Sequence, residues 1–258
     1  MNFDLIDTHV HLYFSDYETD LAEVIRRAGD AGVTKMITIG VDVQTSIQCV
    51  QLAENYPQLY AAVGIHPNDA AAMQNGDLIK IDHLLSHPKV VAIGEIGLDF
   101  HHQQTPPEQQ MAVFRRFLEW SLDRNLPIVL HTRQAEERVI ACLHQLSPNG
   151  WQGVFHCFGG DAQQAEQAMA MGFHLSFTGN ITYKNSHTFA VMKSVPLERL
   201  LLETDSPLMP PVPYRGQRNE PAYVRKIAEK IAEGKNLTWE TVARQTTLNA
   251  MALFNLAG

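Results

Sequence analysis

Ile6-Asp7-Thr8-His9-Val10-His11 is a short, largely apolar run that ends in two histidines. Residues two apart on a strand point to the same face. His9 and His11 therefore project side by side, and two imidazoles on one face can grip one metal ion. A His-x-His alone carries little weight. The reading changes because further apolar runs follow, and several stop at another potential ligand. The first strand reads from Phe3 to Leu12 and the second from Val33 to Val41. The third, Tyr60 to Ile65, closes at His66-Pro67. The fourth, Val90 to Ile93, runs into Gly94-Glu95-Ile96-Gly97-Leu98-Asp99. The fifth is Pro127 to His131, the sixth Gly153 to His156, the seventh Phe173 to Thr178 and the eighth Leu200 to Asp205.

Helical stripes separate these runs. Leu21, Val24, Ile25 and Ala28 share one face of a helix expected over Tyr17 to Ala31, which Gly32 stops. Asp42 or Thr45 can cap the next helix, and Asp77 opens another. Pro106-Pro107 opens the clearest one, striped by Met111, Phe114, Phe117, Leu118 and Leu122. Later helices are expected from Glu136 to Leu146, Asp161 to Met171, His187 to Ser194, Pro221 to Glu233 and Thr238 to Phe254. The strands are solid apolar runs rather than alternating ones, as expected when both faces are covered. The simplest architecture is α/β: a single (β/α)8 TIM-type barrel filling residues 1–258. The runner-up is a doubly wound open sheet. Against it, no Gly-x-Gly-x-x-Gly follows the first strand and there is no phosphate loop.

Apolar residues make up 45% of 258, enough to fill such a core, and charged residues 19%, which does not suggest disorder. The formal net charge is −8. Phosphate repels an acidic protein at long range, although bound divalent cations reverse that sign locally. Cys49, Cys142 and Cys157 form no Cys-x-x-Cys pair, and their odd number fits a reducing cytosol better than a disulfide framework. Met1-Asn2-Phe3-Asp4 does not read as a signal peptide, and no run of about 18 apolar residues could span a membrane. A soluble, cytoplasmic protein with no membrane partner is expected. Helix stripes that face a core show no dimer patch, so the oligomeric state stays open and a monomer is compatible.

In a parallel barrel the chemistry lies at the C-terminal strand ends. The polar residues there are His9, His11, His66, Glu95, His131, His156 and Asp205. Four or five imidazoles and two carboxylates can hold one or two divalent metals with room for water. Plainer readings exist. His66 can be a polar strand end, or can touch metal or substrate. His131 and His156, taken singly, read as satisfied core histidines. Asp99 reads as a loop cap or as support for a ligand. Glu203 shares a face with Asp205 and reads as support. Asp205 could simply turn the chain before Ser206-Pro207, but its place after Leu200-Leu201-Leu202 favours a buried catalytic carboxylate. Cys157 reads as packing.

The motifs His9-Val10-His11, Gly64-Ile65-His66-Pro67, Gly94-Glu95-Ile96-Gly97-Leu98-Asp99, His131-Thr132-Arg133, His156-Cys157-Phe158-Gly159-Gly160 and Glu203-Thr204-Asp205 occur in this order. The set resembles the TatD-like metal-dependent hydrolases, deoxyribonuclease-type members of the amidohydrolase superfamily, over essentially the whole chain. The resemblance implies two divalent metal ions in a TIM-type barrel. His9, His11, Glu95 and Asp205 would hold one, and Glu95, His131 and His156 the other. It also implies Mg²⁺- or Mn²⁺-dependent hydrolysis of DNA, often of single strands or from 3′ ends, with Zn²⁺ also found in such sites.

Two metals about 4 Å apart can acidify a bridging water and stabilise a leaving oxygen. Asp205 is then the natural acceptor of the water's proton. Arg133, two residues beyond His131, shares its face and can meet phosphate oxygens. The proline-stiffened loop from Ser206 to Pro221 carries Tyr214, which can stack on a base, and Arg215, which can fork onto a phosphate. Imidazoles favour Zn²⁺, while carboxylates and water tolerate Mg²⁺ and Mn²⁺. A nuclease is therefore expected. The net charge keeps a hydrolase of a small ester, lactone or amide as the alternative. A non-catalytic binding protein is the third reading, and ligands intact at every such strand end argue against it.

Overall fold

A computed structural model describes residues 4–102 and 104–256 of the chain. Phe3, the expected start of the first strand, lies outside them. The strands are β1 (Leu5–Val10), β2 (Val33–Ile39), β3 (Leu59–Val63), β4 (Val90–Asp99), β5 (Ile128–Arg133), β6 (Gly153–Phe155), β7 (His174–Phe177) and β8 (Leu200–Leu202). They pair in parallel in chain order. β8 returns to β1 through a parallel bridge between Val10 and Ser206, and the Thr8 hydroxyl donates to the Leu202 carbonyl at 3.0 Å. The sheet thereby curls into a nearly closed (β/α)8 barrel.

The helices are α1 (Leu21–Asp30), α2 (Val43–Asn55), α3 (Asp77–Leu84), α4 (Pro107–Arg124), α5 (Glu136–Leu146), α6 (Ala162–Ala170), α7 (His187–Ser194), α8 (Val224–Lys235) and α9 (Trp239–Phe254). Their boundaries follow local chemistry. Asp42 and Thr45 close a reciprocal capping box on α2, and Asp161 with Gln164 does the same for α6. Pro107 opens α4 and Asn125, at φ +53, ends it. The start of α1 differs from expectation, as do the ends of β4 and β8 and the start of α8. Residues Ser15–Tyr17 form a short 3-10 turn and α1 begins only at Leu21. Tyr17 is drawn out of a helical path because its buried hydroxyl donates to the Asn219 carbonyl at 2.6 Å.

Two apolar layers result. Ile6, Ile37, Ala62, Val129, Val154 and Leu201 fill the barrel, and Leu253 and Phe254 at the end of α9, with Leu256 just beyond it, close its floor. Leu5, Met36, Ile93, Leu130, Phe155 and Leu202 face outward into the shell of helices. This sorting exposes a feature of β1 and β4. Leu5 faces the helices and Ile6 the interior, yet Val10 faces the helices again, so the alternation slips once across the register shift between Asp7 and Val10. Ile93 and Ile96 both face the helices across a second shift in β4. These slips turn His9, His11 and Glu95 into the barrel mouth. Among the described residues no helix is long and apolar enough to cross a membrane.

Gly97 lets β4 approach β5 beside the mouth. It sits at φ +148, and a Cβ there would fall on the His131 carbonyl oxygen. Gly97→Ala is expected to lower stability by about 2–4 kcal/mol through clash and backbone strain. Urea unfolding followed by circular dichroism measures this, and an unchanged midpoint would refute the close-approach argument.

Candidate active site

Glu95 lies at the centre of the mouth, buried at 4% exposure. Its two oxygens serve two groups of side chains. Oε2 is 3.4 Å from His9 Nε2 and 4.0 Å from His11 Nε2. Oε1 is 2.8 Å from His131 Nδ1 and 3.8 Å from both His66 Nε2 and His156 Nε2. Asp205 completes the first group: its Oδ1 is 3.4 Å from His11 Nε2 and 3.8 Å from His9 Nε2. The Nε2 atoms of His9 and His11 are 3.2 Å apart. The structure thus brings His9, His11, His66, Glu95, His131, His156 and Asp205 into one cluster.

Each ring is aimed by what stands behind it. His11 Nδ1–H donates to the Ile39 carbonyl at 3.0 Å, with the Tyr13 hydroxyl at 3.2 Å, which leaves the Nε2 lone pair facing inward. His131 stands between Glu95 and Asp99, whose Oδ2 is 3.3 Å from Nε2. Asp99 also accepts from the backbone N–H groups of His101 and His102 at 2.9 Å, so it is both loop cap and support. His156 stacks on His9 with ring centres 3.5 Å apart. Its Nδ1 is 3.0 Å from Glu203 Oε1, an ion-pair distance without hydrogen-bond alignment. Glu203 is fixed in turn by the Cys157 N–H and the Ser176 hydroxyl, both at 2.7 Å. His66 is different. Its Nδ1 accepts from the Asn68 N–H at 3.1 Å, so the neutral ring carries its proton on Nε2 and offers the mouth a donor rather than a lone pair. Proximity alone groups it with Glu95 and His131 as a possible metal triad. The tautomer argues for holding an anionic oxygen.

The electrostatics are those of a charge-compensated cluster. Burial pushes the Glu95 carboxyl up, but hydrogen bonds from His131 and His9 hold it well below the usual carboxylate range. Burial opposes ionisation of Asp205 as well, and His11 with the nearby His156 brings it below its ordinary value. Burial, then His156, lowers His9. Burial and His131 lower His66 to about 3. His131 and His156 go the other way. Burial disfavours both cations, yet Asp99 and Glu95 raise the first and Glu203, Glu95 and Asp205 raise the second to about 10.

The donor set fits a divalent cation. Ligands about 2.05 Å from a tetrahedral ion stand about 3.3 Å from one another. The separations between ligand atoms of His9, His11, Glu95 and Asp205 run from 3.2 to 4.0 Å, around that value. Groups His9–His11–Asp205 and His9–His156–Glu203 each gather potential ligand atoms within 4.8 Å of one another. A groove of about 1120 Å³ between α5 and α6 holds none of these side chains and lies away from the strand ends.

The expected substrate contacts are placed unevenly. Arg133 is exposed at the end of β5. Arg215 lies exposed with its guanidinium 4.3 Å from the centre of the Tyr183 ring. Tyr214 has one ring face covered by Tyr223 at 3.8 Å. Arg218, in the same loop, is bound to Asp20 and Glu220 and lies over Tyr17. Asn68 and Asn219, which hold the rings and loops of the site, carry no motif that singles them out in the sequence.

A parallel barrel with imidazoles and carboxylates converging at its strand ends defines a metal-dependent hydrolase. The chain belongs to the TatD family: the family model described as TatD related DNase matches residues 6–255. Over 253 residues it is 45% identical to a Bacillus subtilis protein named uncharacterized metal-dependent hydrolase YabD, covering 98% of this chain and 99% of that one. It is 34% identical over 259 residues to the 3'-5' ssDNA/RNA exonuclease TatD of Erwinia tasmaniensis, covering 98% and 100%. The crystal structure of YJJV, a TatD homologue from Escherichia coli, superposes over 100% of both chains with TM-score 0.92 at 34% identity.

Protons and metal compete for His131 and His156. Both rings hold a proton above the ordinary histidine range, and a metal ligand must be deprotonated. Mn²⁺ affinity is therefore expected to rise with pH, by about a decade per pH unit for each proton displaced between about pH 6 and 8. Calorimetry in buffers of different ionisation enthalpy measures affinity and proton release together. A flat profile without proton release would refute the competition.

Proposed function

We propose that this metal-dependent hydrolase is a deoxyribonuclease that removes nucleotides from 3′ ends of single-stranded DNA. The observation that carries the reading is Glu95, with one oxygen turned to the His9–His11–Asp205 group and the other to the His131–His156 group. Glu95 would help both groups of side chains to hold divalent cations, Mg²⁺ or Mn²⁺ for activity, with Zn²⁺ as a competitor for the imidazoles. Cations held there would supply Lewis acidity, acidifying water and offsetting charge that develops on phosphoryl oxygens. The chain's own groups do the rest. Asp205, held ionised, takes a proton from the attacking water. As the water oxygen bonds to phosphorus, the bond from phosphorus to the leaving ester oxygen breaks, and the proton taken up by Asp205 passes to that oxygen, which leaves as a hydroxyl. His66 Nε2–H donates to a phosphoryl oxygen, and Arg133 and Arg215 grip the neighbouring phosphates. Tyr214, with one face on Tyr223, keeps the other for a base. The name of the Erwinia relative supports the polarity and extends the candidate substrates to RNA. The free cysteines are compatible with a reducing compartment, and we place the protein in the cytoplasm, as a single domain.

One observation favours the alternative of a small ester, lactone or amide. Arg218 is neutralised by Asp20 and Glu220, so this loop offers a thinner cationic track than its composition suggests.

The test is degradation of 3′- and 5′-labelled single-stranded DNA and RNA with Mg²⁺, Mn²⁺, Zn²⁺ or chelator. Metal-dependent loss of the 3′ label first, reduced at least about a hundredfold in His9→Ala/His11→Ala, is the expected result. Metal-loaded protein that leaves every strand intact would overturn the nuclease and send the search to esters and lactones.

A further inference from the structure

The loop after β8 is fastened back onto the strand end through one side chain. Asn219 is fully buried. Its side-chain amide donates to the Thr204 carbonyl at 2.9 Å and to the Leu208 carbonyl at 2.6 Å. These carbonyls bracket Asp205, one residue before it and three after. The Asn219 side-chain carbonyl accepts from the Glu220 N–H at 2.9 Å, its N–H donates to the Pro207 carbonyl at 3.1 Å, and its own carbonyl accepts from the Tyr17 hydroxyl. Every hydrogen-bonding group of this residue is engaged.

Between the two anchored carbonyls Asp205 takes φ +57, a left-handed conformation that Asp tolerates but most side chains avoid. On the barrel side the turn is held by β1. The Asp205 N–H donates to the His9 carbonyl at 2.9 Å, and the His11 N–H to the Ser206 carbonyl at 2.8 Å. Within the turn the Leu208 N–H donates to the Asp205 carbonyl at 2.9 Å and the Ser206 N–H to the Thr204 hydroxyl at 3.2 Å, and Asn219 ties the two ends together from outside. Without it, the turn has no side-chain tie between its two ends, and the Asp205 carboxylate loses its fixed distance from His9 and His11.

We propose that Asn219 is the positioning residue for Asp205, acting through the backbone of the Thr204–Leu208 turn rather than by touching substrate or metal. The proposal rests on the reading of Asp205 as a ligand and proton acceptor. The barrel contains its own control. Asn249 makes the same kind of paired contact at the opposite end of β8, its amide donating to the Leu197 and Leu200 carbonyls, both at 2.9 Å. That end is remote from the mouth and serves stability. The two asparagines differ in which end of the strand they hold.

The experiment compares Asn219→Ala, Asn249→Ala and Asp205→Asn in the full chain. It reads Mn²⁺ affinity by electron paramagnetic resonance, turnover of labelled single-stranded DNA, and Tm. Both alanine variants should lower Tm. Asn219→Ala alone should weaken Mn²⁺ binding and lower kcat by about tenfold or more with KM nearly unchanged, as loss of an outer support does, while Asn249→Ala keeps both within about twofold. Tyr17→Phe, which removes a single bond to Asn219 and keeps the ring, guards against a variant that fails to fold. It should shift Mn²⁺ affinity in the same direction by a smaller factor. If Asn219→Ala and Tyr17→Phe bind Mn²⁺ as the parent does while Asp205→Asn does not, the positioning role falls and the reading of Asp205 stands. If Asp205→Asn itself binds Mn²⁺ and turns over normally, that reading falls and takes the proposal with it. Mn²⁺ affinity needs no substrate, so it decides the matter even where DNA proves not to be cleaved.

Discussion

A negative charge buried at the barrel mouth is the constraint from which the site follows. An isolated carboxylate in the position of Glu95 would be strongly destabilising, and the chain offsets that cost by surrounding it with imidazoles rather than by moving it to solvent. The surrounding rings then need orienting groups of their own, which is why Asp99 and Glu203 are also buried. One acid stands apart. Asp7 is bonded to Thr204 and, among the described residues, not to a ring, and burial pushes its carboxyl well above the usual range despite the Thr204 hydrogen bonds. Its contacts with Thr204 join β1 to the end of β8. It therefore serves barrel closure, two residues from a ring that serves the mouth.

The order of strand ends was legible because it depends on a local rule. A strand covered on both faces must be apolar throughout, and its first polar residue marks the exit into the mouth. His66, Glu95, His131 and His156 could all be read that way. The faces of β1 and β4 could not. A one-residue slip reverses which side chains point inward. The shifts between Asp7 and Val10 and between Ile93 and Ile96 arise from pairing with neighbouring strands, not from the residues alone. His9 and His11 share a face under any reading, but that this face is the interior depends on the slip. The start of α1 was missed for a related reason. Tyr17 fits a helix locally, and its partner Asn219 lies 202 residues away.

The loop after β8 shows the same limit for charge. Arg215 and Arg218 are three residues apart and alike in sequence context. Asp20, on the neighbouring loop after β1, and Glu220 claim Arg218, and Arg27 joins them through Glu220. The pairing lowers the Asp20 carboxyl and keeps Arg218 against Tyr17. These ion pairs are partly exposed, so each contributes little to stability alone. Their effect is geometric, since they join the two loops that carry Tyr17 and Asn219. Among the described residues no carboxylate pairs with Arg215, whose guanidinium lies over the Tyr183 ring instead.

Residue type was a poorer guide to role than the group behind each ring. His11 is buried and His66 half-buried at the mouth, both with Nε2 turned toward Glu95. His11 meets a carbonyl at Nδ1, so it must donate there and keep a lone pair for the interior. His66 meets a backbone N–H at Nδ1, so it must accept there and keep a proton for the interior. Burial and His131 hold His66 low, so the ring does not escape the choice by taking a second proton. One imidazole is thus prepared for a cation and the other for an anion. The difference lies in Ile39 and Asn68, whose contribution is a backbone atom in each case. No alignment of side-chain chemistry along the chain could have separated the two.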